Sequence, residues 1–237
     1  MLGSLVGVGG GFLIVPLLRL AFDVPPAQVA GTSLILVFAN TAASTVGYVR
    51  DGKVDLPLAG WMTAGAIPAG VLGVVAVHRV NGARFDVAYA CVLAAIAVLV
   101  LLRRSVASRP VGERTFVHDW RVGLLAGVAV GFFSSLFGIG GGIVTIPLLL
   151  IAARMPAHIV TATSAFVIAT TAPVGVIAHA VAGDVDWHLT IPLVAGGLLG
   201  GALAPPIARR ISSPRLLTIL AAALFVAAAG LIVRHLV

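Results

Sequence analysis

Charge is scarce in this sequence, and acidic charge scarcest of all. Only 10% of the 237 residues are charged, against about a quarter in soluble domains. The acids are Asp23, Asp51, Asp55, Asp86, Glu113, Asp119, Asp184 and Asp186, and each stands in or beside an interruption between apolar runs. None falls mid-run. Cation carriers and carboxylate proton relays rely on acids within the membrane, so that class is disfavoured. Cysteine is nearly absent, and Cys91 alone excludes an intrachain disulfide and a thiolate metal centre. His78, His118, His158, His188 and His235 sit at run ends or in loops without ligand spacing, so no metal or other cofactor is expected. No basic segment precedes the first apolar run, and a glycine cluster interrupts it. That pattern does not read as a secretory signal.

What is present is apolar: 60% of residues are hydrophobic and mean hydropathy is +1.14. A helical span needs roughly 20 apolar residues. Eight runs of about that size or longer follow one another, near 1–22, 26–49, 56–78, 85–102, 122–153, 157–182, 188–208 and 215–233. No soluble domain fits between them. The predicted fold class is an all-α, polytopic transmembrane protein, placed as a multi-pass protein in the bacterial inner membrane. A net charge of +7 would suggest nucleic acid in a soluble chain. Here the arginines gather at run ends and short loops, as the positive-inside rule requires. The expected partners are the lipid bilayer and a small solute, not nucleic acid, and a homodimer stays open.

The two halves of the chain align without a gap at an offset of 131 residues. Gly7, Gly9, Gly10 and Gly11 fall on Gly138, Gly140, Gly141 and Gly142. Pro16 falls on Pro147, Pro25 on Pro156, Thr32-Ser33 on Thr163-Ser164, and Gly52, Val54 and Asp55 on Gly183, Val185 and Asp186. Apolar composition alone does not place glycines, prolines and an aspartate in register, so the chain reads as two homologous repeats. Residues 1–102 form the first repeat, 103–121 a basic connector and 122–237 the second. Seventeen residues from Arg121 lead into the second glycine cluster but only six precede the first, so the first helix reads as truncated.

The run 122–153 is too long for one span at about 1.5 Å per helical residue, and it carries GIGGG at its middle. Glycine runs break helices, leaving a broken helix that crosses once or a hairpin that returns. The basic residues arbitrate. With single crossings the fifteen Lys and Arg divide almost evenly between the two sides. With hairpins, eleven fall on one side and four (Arg19, Arg79, Arg84 and Arg234) on the other. The positive-inside rule favours hairpins. Each repeat then crosses an odd number of times, so the halves are inverted, an arrangement that places transporter sites at the repeat interface.

Chemistry is expected where backbone breaks. GVGGGF and GIGGGI lack the last glycine of a dinucleotide loop, with Phe12 and Ile143 in its place. Broken backbone at membrane depth survives only beside protein or water, and helices restarting there direct free N–H groups at that space, which suits an anion. Close packing of small residues is the bland alternative. Gly9, Gly10, Gly11, Gly140, Gly141 and Gly142 are the first candidate substrate-binding residues. Thr32, Ser33, Thr163 and Ser164 come next, as hydroxyls near bilayer depth; ordinary interhelical hydrogen bonding is their competing role. Asn40 is the most polar group deep in a span and aligns with Thr171, while Ser134 stands just before the second break. His179, aligned with Tyr48, is the candidate for proton coupling. Asp55 and Asp186 read as helix caps. With no acid mid-span, voltage-driven export of a monovalent anion is the expected mode. The surroundings of Ser134, GFFSSLFG, do not supply an intramembrane protease nucleophile, so no enzyme is expected. The alternatives are a channel or transporter for another small anion, and a non-transporting assembly protein.

GVGGGFLIVPLL followed by PPAQVAGTSL, then FGIGGGIVTIPLLL followed by MPAHIVTATSA, closely resembles the TauE/SafE sulfite-exporter family, also called TSUP. GDVDW at 183–187 is similar to the family's G-x-V-D-W element, and its counterpart GKVDL carries Leu56 in place of Trp. The resemblance covers nearly the whole chain. It implies movement of sulfur-containing anions such as sulfite, thiosulfate or organosulfonates, without implying which. The shortened first helix departs from the family pattern.

Overall fold

The computed structural model describes residues 9–103, 120–149, 157–208 and 213–233. Helices fill them in the order α1 (Gly11–Ala21), α2 (Pro26–Arg50), α3 (Leu56–Val77), α4 (Gly82–Arg103), α5 (Trp120–Phe137), α6 (Gly142–Leu148), α7 (Ala157–Val181), α8 (Trp187–Ala208) and α9 (Ser213–Val233). No strand occurs among the described residues. By length and composition, α2, α3, α5 and residues Ile159–Val181 of α7 can each cross a membrane. The shortened first helix and most of the basic connector fall on residues 1–8 and 104–119, outside the described residues.

Local chemistry sets the helix ends. Pro25 and Pro26 open α2, where a missing N–H costs nothing. Gly52 and Gly183 follow α2 and α7 with φ of 64° and 78°, closing each helix through a left-handed residue. Three residues on, the Asp55 carboxylate accepts from the Leu58 amide at 3.1 Å, and Asp186 accepts from Leu189 at 3.2 Å. Both GxVD aspartates cap the next helix, as their spacing predicts, and such caps contribute about 1 kcal/mol each.

The helices pack in pairs: α3 lies along α5, α2 along both α7 and α8, α3 also against α7, and α4 against α9. The α3–α5 seam is built on glycine. A Cβ on Gly127 would strike Met62 O, one on Gly131 would strike Ala66 O, and one on Gly65 would strike Leu124 O. Lipid offers apolar side chains no worse a home than protein, so helices associate through such close backbone contact. At the end of α5, Phe137 meets Phe85 and Tyr89 edge-on at centroid distances of 5.4 and 5.3 Å. Arg19 of α1 forks onto Asp86 of α4, with Nε and Nη2 each 2.6 Å from a carboxylate oxygen, and Nη1 donates to Val24 O at 2.8 Å. Both side chains are buried. Removing one member of such a pair costs about 3–5 kcal/mol, because the other is left charged in a dry site.

The second glycine cluster separates α5 from α6 as expected, and α1 begins directly behind Gly9 and Gly10 of the first. Gly9 and Gly10 have φ of 86° and 89°, and Gly138, Gly140 and Gly141 have 69°, 79° and 66°. Side-chain-bearing residues rarely hold that region, and a run of them cannot. Within the second break the backbone lies back against α5, since a Cβ on Gly141 would lie 2.5 Å from Val130 Cγ1 and 3.4 Å from Ser134 Cβ.

Candidate functional site

The two breaks meet inside the bundle. A Cβ on Gly11 would lie 2.5 Å from Gly138 O and 2.8 Å from Ile139 Cα. Gly9 and Gly140 both abut Val37 of α2, and Gly140 also comes within contact of Ile168 of α7. Val37 and Ile168 pack with Leu34 and Ala172 into a small apolar cluster at this junction. Helix α2 ties both breaks to itself: Ser33 Oγ donates to Gly138 O at 2.9 Å, and Asn40 Nδ2 donates to Gly9 O at 2.8 Å. A buried carbonyl left unpaired costs about 1–3 kcal/mol, so these bonds hold each break in its shape. The sequence-predicted glycines, Ser33 and Asn40 are thus assembled in one place. Gly142 opens α6, and its N–H bonds Gly140 O at 2.8 Å.

The other candidates are all buried but serve different contacts. Thr32 Oγ1 accepts from the Asp186 amide at 3.1 Å, and Thr163 Oγ1 accepts from the Asp55 amide at 3.0 Å. The two bonds correspond under the sequence offset, each threonine holding the loop of the opposite half. Thr171 Oγ1 donates to Val167 O of its own helix at 2.7 Å. Ser134 O accepts from the Gly138 amide at 2.8 Å, which closes α5 at the break. Ser164 is buried within α7.

His179 has company that sequence reasoning missed. Its Nδ1 lies 2.8 Å from Asp184 Oδ2 and its Nε2 lies 2.9 Å from Ser135 O on α5. Asp184 Oδ1 lies 3.0 Å from His78 Nε2, and His78 Nδ1 lies 2.8 Å from Val74 O. Asp184 stands in a loop, as its position predicts, yet it is buried; Asp86 is buried as well. Acids sited at run ends are therefore not all solvent-exposed, although none of those described falls mid-helix. The Val74 carbonyl accepting its ring proton holds His78 above its ordinary 6.5, burial works against this, and the charge of Asp184 and its hydrogen bond add to it. No group of three metal-capable side chains occurs among the described residues.

Apolar helices long enough to span a membrane, with helix-breaking glycines that meet inside the bundle, are the architecture of a membrane transporter. The family model for the sulfite exporter TauE/SafE matches residues 1–231, and the chain belongs to that family. It is 30% identical to "Probable membrane transporter protein YunE" of Bacillus subtilis, over 92% of this chain and 88% of that protein. It is 31% identical to "Probable membrane transporter protein MJ0441" of Methanocaldococcus jannaschii, over 82% of this chain and 73% of that one. A "Probable membrane transporter protein" of Xylella fastidiosa is 29% identical over 90% of this chain and 82% of its own length. No solved structure gives a significant match.

Proposed function

We propose that the protein carries small sulfur-containing anions, such as sulfite, thiosulfate or organosulfonates, across the bacterial inner membrane through the junction of its two glycine breaks. The meeting of both breaks on α2, at Val37 and Asn40, is the observation that carries this reading. Helix α1 starts there at Gly11 behind Gly10, an N-cap without a side-chain acceptor, and N–H groups at a helix start favour an anion. The family description supplies sulfite as the chemical class, while the relatives' names carry no substrate.

The halves act, in this reading, as inverted repeats around that junction. A two-fold relation makes contacts reciprocal: if i touches j, the partner of j touches the partner of i. The Thr32–Asp186 and Thr163–Asp55 bonds have that form. In each, the loop leaving the C-terminal end of one helix bonds near the N-terminal end of its counterpart. That supports α2 and α7 running in opposite directions.

The test is flux through the purified protein in liposomes, screened with sulfite, thiosulfate, sulfoacetate and taurine. Saturable movement of at least one sulfur oxyanion, absent from protein-free liposomes, is expected. If none moves while nitrate or phosphate does, the reading shifts to another small anion. If nothing moves, the assembly-protein alternative stands.

A further inference from the structure

We infer that His78, Asp184 and His179 form a two-proton relay that opens on a surface groove, and that its protons accompany the anion. The second clause rests on the transport reading above; the first does not.

The hydrogens of the cluster can be counted. A carbonyl oxygen only accepts, so the bond to Ser135 O places a hydrogen on His179 Nε2. By the same reasoning, the bond to Val74 O places a hydrogen on His78 Nδ1. The single hydrogen of each neutral imidazole is then committed away from Asp184. The other ring nitrogens face the two carboxylate oxygens at 2.8 and 3.0 Å. Each of those gaps sets lone pair against lone pair unless a proton lies in it. Two gaps take two protons. Empty, the cluster carries one negative charge; with one proton it is neutral; with two it carries one positive charge, as two imidazolium rings on one carboxylate. A loaded relay is therefore an electrostatic partner for an anion in the same bundle.

The surroundings fit exchange. His78 is half-exposed at the end of α3 and, with Arg79, supplies the charged rim of an otherwise apolar groove of about 580 Å³ between the C-terminal parts of α3 and α7. Asp184 is nearly closed off and His179 fully so. The far end of the relay is Ser135 O, in the last turn of α5 before the break at Gly138. Helix α2 makes room for it: a Cβ on Gly31 would strike Asp184 O and lie 3.1 Å from His179 Cβ.

Among the described residues, the charged and titratable groups at the cluster are few. Helix α3 brings His78 and Arg79, α7 brings His179, and the loop brings Asp184 and then Asp186, which caps α8. At their contacts α2 offers Gly31 and Thr32, and α5 a backbone carbonyl. The loop does not need the relay for its shape. In the first half the aligned residues are Tyr48 and Lys53, and the Lys53 amide bonds Tyr48 O at 3.3 Å, as the Asp184 amide bonds His179 O at 2.9 Å. Lys53 pairs instead with Asp51 at 3.1 Å.

Two measurements on the full chain in bilayers test the inference. In the first, histidine ring nitrogens are labelled with nitrogen-15 and titrated by NMR. His78 and His179, assigned by substitution, should titrate as a coupled pair, with both ring nitrogens protonated at the acid end, and Asp184→Asn should uncouple them. Independent titration unaffected by Asp184→Asn overturns the relay. In the second, flux is driven by a pH gradient at clamped zero voltage. His78→Gln, at the exposed end where folding is least at risk, should cut the gradient response by about tenfold, within the usual range of coupling between two ligands. Lys53→Gln should not change it. Flux indifferent to the gradient in the unaltered protein overturns the coupling clause. Coupled titration with no sulfur-anion flux under any condition sinks the anion reading and upholds the proton site.

Discussion

Asn40 is the side chain on which a structural role and the proposed transport role converge. It is buried on α2, donates to Gly9 O at 2.8 Å, and lies 3.4 Å from where a Gly10 Cβ would stand. Asn40→Ala leaves the Gly9 carbonyl unpaired, costing about 1–3 kcal/mol. If that carbonyl shapes the anion site, apparent affinity should weaken by roughly 5- to 150-fold. Melting in detergent and the concentration dependence of flux separate the two effects: a lowered melting temperature with unchanged flux would make Asn40 a packing amide. Its depth in an apolar run made it legible in the sequence. Thr32 and Thr163 were legible as polar groups in register, but their service to the opposite half's loop was not, because nothing local says which backbone returns to them. His78 and Asp184 were invisible as a pair: 106 residues separate them, and each alone reads as a loop or helix-end residue. Burial came from the fold, not from position in the chain.

At the scale of elements, the breaks and caps were readable because each rests on local chemistry. Only glycine holds three closely spaced left-handed positions, and an aspartate three residues before an amide is a cap wherever it occurs. The α3–α5 seam was less readable. Gly123, Gly127 and Gly131 recur at four-residue spacing, which announces close approach without naming the helix approached. Gly131→Leu should force α5 off Ala66, where a Cβ would lie 2.6 Å from Ala66 Cα. Overpacking of this kind costs about 1–3 kcal/mol, occasionally more. Gly60→Ala on α3 is the matched control, since nothing lies within 4 Å of its Cβ position, and a helical Gly→Ala change there should gain roughly 0.5–1 kcal/mol. Thermal melting of both variants in the same detergent checks the contrast. Equal, small shifts would mean that the seam is slack.

For the whole molecule, the proposed inversion can be argued from pairs of residues that must share one side of the membrane. If each glycine-broken run crossed once, Thr32 and Asp186 would lie toward opposite faces, as would His78 and Asp184. Both pairs are hydrogen-bonded. With returning hairpins, each pair falls on a single side, and so does Arg19 with Asp86. Under the proposed inversion, the eleven-to-four division of basic residues would put the connector and the 51–55 loop together in the cytoplasm. The 182–186 loop, aligned with the latter, then faces outward. Cysteine labelling tests this at aligned positions. In a Cys91→Ala background, needed because Cys91 is exposed, Ala182→Cys should react with an impermeant maleimide in intact cells. Asp51→Cys should react only after permeabilisation, as should Ser108→Cys in the connector. The Asp51 substitution loosens a partly exposed ion pair with Lys53, of the kind worth about 0–1 kcal/mol, and melting in detergent checks that the fold tolerates it. If positions 51 and 182 react from the same side, the repeats are parallel. The reciprocal threonine bonds would then need an explanation other than a two-fold axis in the membrane plane.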